Sequence, residues 1–114
     1  MNCYIIDDEQ HNIDMLEFYI SEMPNVKLVG TNTNPVNALR EIEHLGNVDL
    51  VLSDMDMNKL SGIDVKNRLP SHIAVIFVTA HFISDFEGLN LGEIDIVTKP
   101  VNPDKLKAAI EKAR

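Results

Sequence analysis

The sequence predicts an α/β protein in which a five-stranded parallel sheet, with strand order 2-1-3-4-5, is doubly wound as (βα)5. First, short apolar runs alternate five times with segments that have the periodicity of amphipathic helices. Second, this alternation implies right-handed crossovers, which place helices on both faces of a parallel sheet. Third, the order 2-1-3-4-5 is a common solution for five such strands. The 114 residues suffice for one core, so a single domain is predicted over residues 1–114.

The first strand is predicted at residues 3–6 and the first helix at residues 10–23. The strand is a short apolar run that ends at the acidic cluster Asp7-Asp8-Glu9. One stripe of the helix is apolar and consists of Ile13, Leu16, Ile20 and Met23. This spacing indicates that one side of the helix is buried. Pro24 is expected to end the helix.

The second strand is predicted at residues 26–30, and a second helix follows it after Asn34-Pro35. An asparagine side chain accepts hydrogen bonds from the N–H groups at a helix start. A proline fits the first turn because its missing N–H would have no partner there. The predicted buried face of this helix consists of Val36, Leu39, Ile42 and Leu45. Gly46 is typical of the position that follows a helix.

The third strand, at residues 49–53, is a buried apolar run that ends at Asp54. Open α/β sheets bind ligands beyond the carboxyl ends of their strands, so Asp54 is expected there, open to solvent. A polar loop over residues 55–60 leads to Ser61-Gly62, where a short third helix is predicted to begin. The apolar residues of that helix are Ile63, Val65 and Leu69.

The last two strands are predicted at residues 73–78 and 94–98. The first of them is apolar throughout and rich in β-branched residues, which indicates an interior strand covered on both faces. Between them, Ser84 and Glu87 have the spacing of a capping box and predict a short fourth helix. A fifth helix is predicted to start at Asn102-Pro103 and to reach the end of the chain. Its apolar residues are Leu106, Ile110 and Ala113.

Composition limits the possible functions. The 10 basic and 18 acidic residues give a net charge of −8 with neutral histidines. Because nucleic acid binding requires a basic surface, no direct contact with nucleic acid is expected. No apolar run approaches the ~20 residues of a membrane helix, so no membrane contact is expected either. The single cysteine, Cys3, cannot form an internal disulfide, which fits a reducing compartment and a cytoplasmic location.

Reactive side chains follow four of the predicted strands: Asp7-Asp8, Asp54, Thr79 and Lys99. These strands are neighbours in the order 2-1-3-4-5, so the side chains should converge on one edge. Clustered carboxylates repel one another, and Mg²⁺ relieves that repulsion while favouring phosphate oxygens as further ligands. An aspartate can attack phosphorus, and a metal ion, a lysine and a hydroxyl can neutralise or hold the phosphoryl oxygens. The pattern therefore predicts Asp54 as a phosphoryl acceptor beside a magnesium site at Asp7 and Asp8.

This pattern resembles the receiver domain of two-component response regulators, a member of the CheY-like superfamily with a flavodoxin-like fold. The resemblance covers the whole chain and depends on several motifs in the matching order. These motifs are Asp7-Asp8, Asp54, Gly62, Thr79-Ala80 and Lys99-Pro100. Residues 7–10 and 77–81 are most similar to receivers joined to LytTR-type DNA-binding domains.

The resemblance implies a signalling phosphoacceptor and not an enzyme, with only self-catalysed phosphoryl transfer and dephosphorylation. Asp54 would receive phosphate from a sensor histidine kinase, and Mg²⁺ would be held by Asp7, Asp8, Asp54 and the backbone carbonyl of Asp56. The resemblance also implies a cis peptide bond before Pro100. The output would be transcription, through an effector that is not in this chain. A homodimer would form through helix four, strand five and helix five.

Three features depart from the family pattern. Asn58 replaces a usual proline four residues after the acceptor, and the predicted fourth helix is short and weakly patterned. Ile96 replaces the usual aromatic residue that reorients on phosphorylation, so the output is expected to run through Thr79 and backbone shifts. Asp56 and His81, two residues beyond the acceptor and the threonine, are expected to set the phosphoryl lifetime by controlling access of water.

Three alternatives remain open from the sequence. Asp54-Met55-Asp56 resembles the DxD motif of Mg²⁺-dependent phosphatases of the haloacid dehalogenase type, but the order of the acidic motifs differs and no segment remains for a cap. A flavodoxin-like cofactor binder would need a phosphate-binding loop after strand one, where Asp7-Asp8-Glu9 would repel phosphate. A receiver that is never phosphorylated and acts only as an interaction module would keep the fold.

Overall fold

The computed structural model describes residues 1–80 and 95–113, within which five strands form one sheet. The strands are β1 (Asn2–Ile6), β2 (Lys27–Asn32), β3 (Leu50–Ser53), β4 (Ala74–Thr79) and β5 (Asp95–Thr98). The helices are α1 (Gln10–Ser21), α2 (Pro35–Leu45), α3 (Gly62–Arg68) and α4 (Pro103–Ala113). The sheet has the order β2-β1-β3-β4-β5 and each strand pair is parallel. The predicted α/β class and strand order are confirmed.

Two apolar layers cover the two faces of the sheet. Successive side chains of a strand point to opposite faces, and in β1 Cys3 and Ile5 join one layer while Tyr4 and Ile6 join the other. Apolar residues of α1 and α4 complete the first layer, and those of α2 and α3 complete the second. The sheet is therefore doubly wound, and its central strands are buried on both sides.

The first helix is shorter than predicted. α1 ends at Ser21, although Met23 is buried in the core as expected. Pro24 disfavours helical backbone at the residue before it, which explains why regular helix stops short of Met23. The N–H of Met23 donates instead to the carbonyl of Ile20, at 2.9 Å, in a tighter final turn.

The start and end of α2 agree with the prediction, but its buried face agrees only in part. The Asn34 side chain accepts hydrogen bonds from the N–H groups of Val36 and Asn37, and Gly46 ends the helix at φ 69°. The buried helical residues are Pro35, Ala38 and Ile42, whereas Leu45 is exposed. The prediction was confirmed for Ile42 and wrong for Leu45, because residues spaced strictly by three rotate by about 60° around a helix at each step.

The remaining described helices have side-chain caps at their starts. Ser61 Oγ accepts from the N–H of Asp64, and Asp64 Oδ2 accepts from the N–H of Ser61, each at 3.1 Å. Asn102 caps α4, the helix predicted as the fifth, by accepting from the N–H groups of Asp104 and Lys105. The helix predicted between Ser84 and Gly92 lies outside the described residues. Among the described helices, none is both long and apolar enough to cross a membrane.

Candidate functional site

The carboxyl ends of β1, β3, β4 and β5 lie side by side, and two backbone hydrogen bonds join them where the strands end. The N–H of Asp54 donates to the carbonyl of Ile6 at 3.0 Å. The N–H of Lys99 donates to the carbonyl of Thr79 at 2.8 Å. The sheet therefore brings the residues that follow these strands to one edge, as the strand order predicted.

Asp7 is the most deeply buried carboxylate of this edge, with 1% of the residue exposed. Its Oδ1 accepts a hydrogen bond from the N–H of Glu9 at 3.0 Å, and its Oδ2 lies 3.1 Å from Lys99 Nζ. A buried charge needs a partner of this kind, because the protein interior solvates it poorly. Lys99 thus holds Asp7 in a fixed position next to the end of β3.

Asp54 is more buried than the sequence suggested, with 8% of the residue exposed. Its Oδ1 accepts from the N–H of Met55 at 2.8 Å, and its Oδ2 lies 3.7 Å from Lys99 Nζ. The expectation of an open carboxylate was wrong because the loop after β3 folds back over the strand end. The N–H of Gly62 donates to the carbonyl of Met55 at 2.8 Å and closes this loop.

Asp7, Asp8 and Asp54 form a compact acidic cluster, in which one carboxylate oxygen from each lies within 4.8 Å of the others. Burial raises the pKa of Asp54 above its ordinary value of 3.8. The positive charge of Lys99 opposes this pKa increase, while the negative charges of Asp7 and Asp8 add to it. The cluster carries more negative charge than one lysine neutralises, and its all-oxygen donor set fits a hard divalent cation such as Mg²⁺.

Gly62 is required for the close packing of this loop. A Cβ atom at Gly62 would lie 2.5 Å from the backbone carbonyl oxygen of Asp54 and 2.9 Å from the ring of Phe77. Real Cβ atoms do not approach other heavy atoms so closely. The sequence placed this glycine in a motif, and the structure supplies the physical reason for it: the start of α3 packs directly on the backbone of Asp54.

The other predicted site residues differ in burial and in their position relative to the sheet edge. Thr79 is buried at the end of β4, on the same edge as Asp54. Asp56 is exposed in the loop after β3, and Ile96 is half-buried in β5, where it pairs in register with Phe77. The peptide bond between Lys99 and Pro100 is cis, the isomer that the family resemblance implied. His81 lies outside the described residues.

Two contributions to the site were missed at the sequence level. The backbone N–H of Met55 holds one oxygen of Asp54, and the buried Ser53 hydroxyl donates to the backbone carbonyl of Asp54 at 2.9 Å. A backbone donor has no side-chain signature that a sequence could reveal. The polar Ser53 within the apolar run was a usable signal, since buried hydroxyl groups need hydrogen-bond partners.

Comparisons with known proteins give a consistent result. The family model described as response regulator receiver domain matches residues 3–111. The transcriptional regulatory protein NatR of Bacillus subtilis is 30% identical over 111 residues, which cover 95% of this chain and 47% of that protein. The cyclic di-GMP phosphodiesterase response regulator RpfG of Xanthomonas campestris is 31% identical over 116 residues, covering 95% of this chain and 30% of that protein.

A solved structure shows the same relationship. The response regulator receiver domain protein from Clostridium thermocellum superposes with a TM-score of 0.82 and 30% identity, covering 98% of this chain and 92% of that one. The present chain spans about half the length of the first curated relatives that it matches.

Proposed function

Since the chain belongs to the response regulator receiver domain family, we propose that it accepts a phosphoryl group on Asp54 from a sensor histidine kinase. The observation that carries this proposal is the position of Asp54, whose Oδ2 lies 3.7 Å from Lys99 Nζ and within the acidic cluster. A carboxylate held between a fixed cation and a candidate metal site can attack phosphorus without prior removal of a proton.

The proposed transfer is a displacement at phosphorus. A carboxylate oxygen of Asp54 forms the new P–O bond, and the P–N bond of the phosphohistidine breaks. The electron pair of that bond returns to the imidazole, which takes a proton from water. The product is an acyl phosphate on Asp54, and water later cleaves it to restore the carboxylate and release inorganic phosphate.

Two residues assist the transfer in this proposal, and two others control the later hydrolysis. Lys99 offsets the negative charge on the phosphoryl oxygens, and its contact with Asp7 orients its ammonium group at the sheet edge. The Thr79 hydroxyl, buried at the end of β4, binds one phosphoryl oxygen. Asp56 and His81 control the access of the hydrolytic water, which makes them the residues that set the phosphoryl lifetime.

Mg²⁺ is the proposed cofactor. The carboxylates of Asp7, Asp8 and Asp54 would hold it, together with the backbone carbonyl of Asp56. The hard oxygen donors of the acidic cluster support this assignment. When bound, the ion supplies neutralising charge to the carboxylates and to the incoming phosphoryl group.

The proposed output is control of transcription through an effector, consistent with the name of the NatR relative. Enzymatic names among the relatives, such as that of RpfG, describe proteins of which this chain covers about a third. Because Ile96 stands where an aromatic residue is usual, the switch would depend on Thr79 and on backbone shifts. A homodimer through the predicted fourth helix, β5 and α4, and a cytoplasmic location, remain predictions.

The test is incubation with acetyl phosphate and Mg²⁺, followed by measurement of the intact mass. We expect the wild-type protein to gain one phosphoryl group only when Mg²⁺ is present. Asp54→Asn should gain none. Asp14→Asn, which removes an exposed carboxylate of α1, is the matched control and should behave as wild type.

Three other results would contradict the proposal. Absence of any adduct in the wild-type protein would favour an interaction module that is not phosphorylated. Continuous turnover of many phosphomonoesters would favour a phosphatase. Equal labelling of Asp54→Asn and wild type would place the acceptor elsewhere.

A further inference from the structure

A cavity of about 640 Å³ lies between α2 and α3, at the end of the sheet opposite to Asp54. We refer to it as the α2–α3 cavity. It is bordered by α2 from Val36 to Glu43, the segment that enters β3, the C-terminal end of α3 and the segment that enters β4. None of its lining residues belongs to the candidate phosphoacceptor site, so it is a separate feature of the molecule.

The floor of the α2–α3 cavity is apolar. It includes Ile42, Val48 and Ile73, which are buried in the second layer of the core. Leu39 and Leu69 line its sides and are half-buried. A volume of about 640 Å³ falls within the range of roughly 300–1,000 Å³ that is typical of small-molecule sites. The floor would therefore accommodate an apolar group of a small ligand.

The rim of the α2–α3 cavity carries two cations. Arg40 and Arg68 line it, against a single acidic residue, Glu43. Among the described residues, neither Arg40 nor Arg68 forms an ion pair. This local excess of basic groups contrasts with the net charge of −8 of the chain. Two arginines above an apolar floor are complementary to a ligand with an anionic head and an apolar body.

We propose that the α2–α3 cavity binds a small amphipathic anion, meaning a carboxylate, sulfonate or phosphate attached to an apolar group. The anionic head would contact the guanidinium groups of Arg40 and Arg68 at the rim. The apolar body would lie on Val48 and Ile73. The proposal does not depend on phosphorylation, so it can fail or succeed independently of the proposed function.

The test uses anilinonaphthalene sulfonate, a fluorescent probe with this chemistry, on the folded wild-type protein. We expect saturable binding of one probe per chain, with amide NMR shifts at Leu39, Val48 and Ile73. The uncharged analogue N-phenylnaphthylamine should bind about tenfold more weakly, because it lacks the ionic hydrogen bonds. The Val36→Trp variant should not bind the probe, because the larger side chain would fill the cavity.

Charge-removing variants provide the matched comparison. Arg40→Gln/Arg68→Gln should weaken probe binding by about tenfold or more. Lys27→Gln/Lys107→Gln removes the same charge from β2 and α4 and should bind as wild type does. Circular dichroism confirms that each variant is folded.

Several results would overturn the proposal. Shifts confined to other surfaces would show a different site, and equal weakening in both double variants would show only long-range attraction. Equal affinity for the uncharged analogue would show an apolar patch without an anion site. Absence of saturable binding would remove the proposal entirely.

Discussion

At the scale of single residues, the central feature is that the two buried carboxylates at the sheet edge lie at different distances from Lys99. Asp7 has a close cation, with Lys99 Nζ at 3.1 Å, whereas Asp54 lies 3.7 Å from the same nitrogen. One lysine thus partners two buried carboxylates, and Asp54 has the weaker contact. Burial raises its pKa, which means that the ionised form of Asp54 opposes folding. The protein keeps this destabilising charge at the proposed acceptor.

The first prediction concerns the stability of the protein without metal. Asp54→Asn should raise the free energy of unfolding at pH 7, because it removes a carboxylate whose pKa is raised by burial. Asparagine retains an oxygen that can accept from the N–H of Met55. Urea unfolding of wild type, Asp54→Asn and the surface control Asp14→Asn measures the difference.

The pH dependence of this difference has a definite sign. The folded-state pKa of Asp54 lies above its unfolded value, so the wild type loses stability as pH rises through this interval. The advantage of Asp54→Asn should therefore vanish below the ordinary pKa of 3.8 and grow as the pH rises above it. If the stability gain of Asp54→Asn were largest at acidic pH, the raised pKa of Asp54 would be contradicted. Mg²⁺ should stabilise the wild type more than Asp54→Asn.

The second prediction concerns the lifetime of the phosphorylated state. Asp56→Asn and His81→Ala should change the rate at which the acyl phosphate on Asp54 is lost, because both residues are proposed to control the approach of water. Release of inorganic phosphate from purified phosphoprotein measures this rate. If neither variant altered it, the proposed role of the two residues would be wrong.

At the scale of elements, the start of α3 packs against the loop that carries Asp54. Its first residue, Gly62, packs on the backbone of Asp54 and donates its N–H to the carbonyl of Met55. Its capping box at Ser61 and Asp64 fixes where the helix begins. The position of the loop that carries Asp54 is therefore determined by the start of a seven-residue helix.

The third prediction follows from this packing. Gly62→Ala should lower the free energy of unfolding by about 2 kcal/mol, because the new Cβ would overlap the carbonyl of Asp54. It should also weaken Mg²⁺ binding, since the backbone beside the acidic cluster must move. Gly46→Ala is the control: a Cβ there meets no atom within 4 Å, and only its φ of 69° is unfavourable. Gly46→Ala should lower the free energy of unfolding by about 1 kcal/mol and leave the affinity for Mg²⁺ unchanged. If both variants weakened Mg²⁺ binding equally, the proposed role of Gly62 would be contradicted.

The element scale also shows what local sequence signals determine. Short motifs correctly predicted three helix starts, because capping and proline preferences act over a few residues. These motifs are Asn34-Pro35, Ser61-Gly62 and Asn102-Pro103. The buried side of α2 was predicted wrongly at Leu45, since a spacing of three matched the apolar residues but not the rotation of a helix. The burial of Asp54 was also missed, because it depends on a loop closed from Gly62, eight residues further along the chain.

At the scale of the whole molecule, the strand order determines which residues can act together. Asp7 and Lys99 are separated by 92 residues, yet their side chains are 3.1 Å apart. This contact exists because β1 and β3 pair, and β3, β4 and β5 follow in order. The site could be predicted from the sequence for this reason: alternation of strands and helices implied the order, and the order implied which strand ends meet. The α2–α3 cavity lies at the other end of the same sheet, and no sequence motif predicted it.

The central claim is that Asp54 is the residue that accepts the phosphoryl group. Borohydride reduces an acyl phosphate to an alcohol and thereby marks the labelled residue permanently. After reaction with acetyl phosphate and Mg²⁺, reduction and peptide mass mapping should convert Asp54, and Asp54 alone, to homoserine. Conversion of Asp7, Asp8 or Asp56 in its place, or of no aspartate in protein that is folded and binds Mg²⁺, would contradict the account.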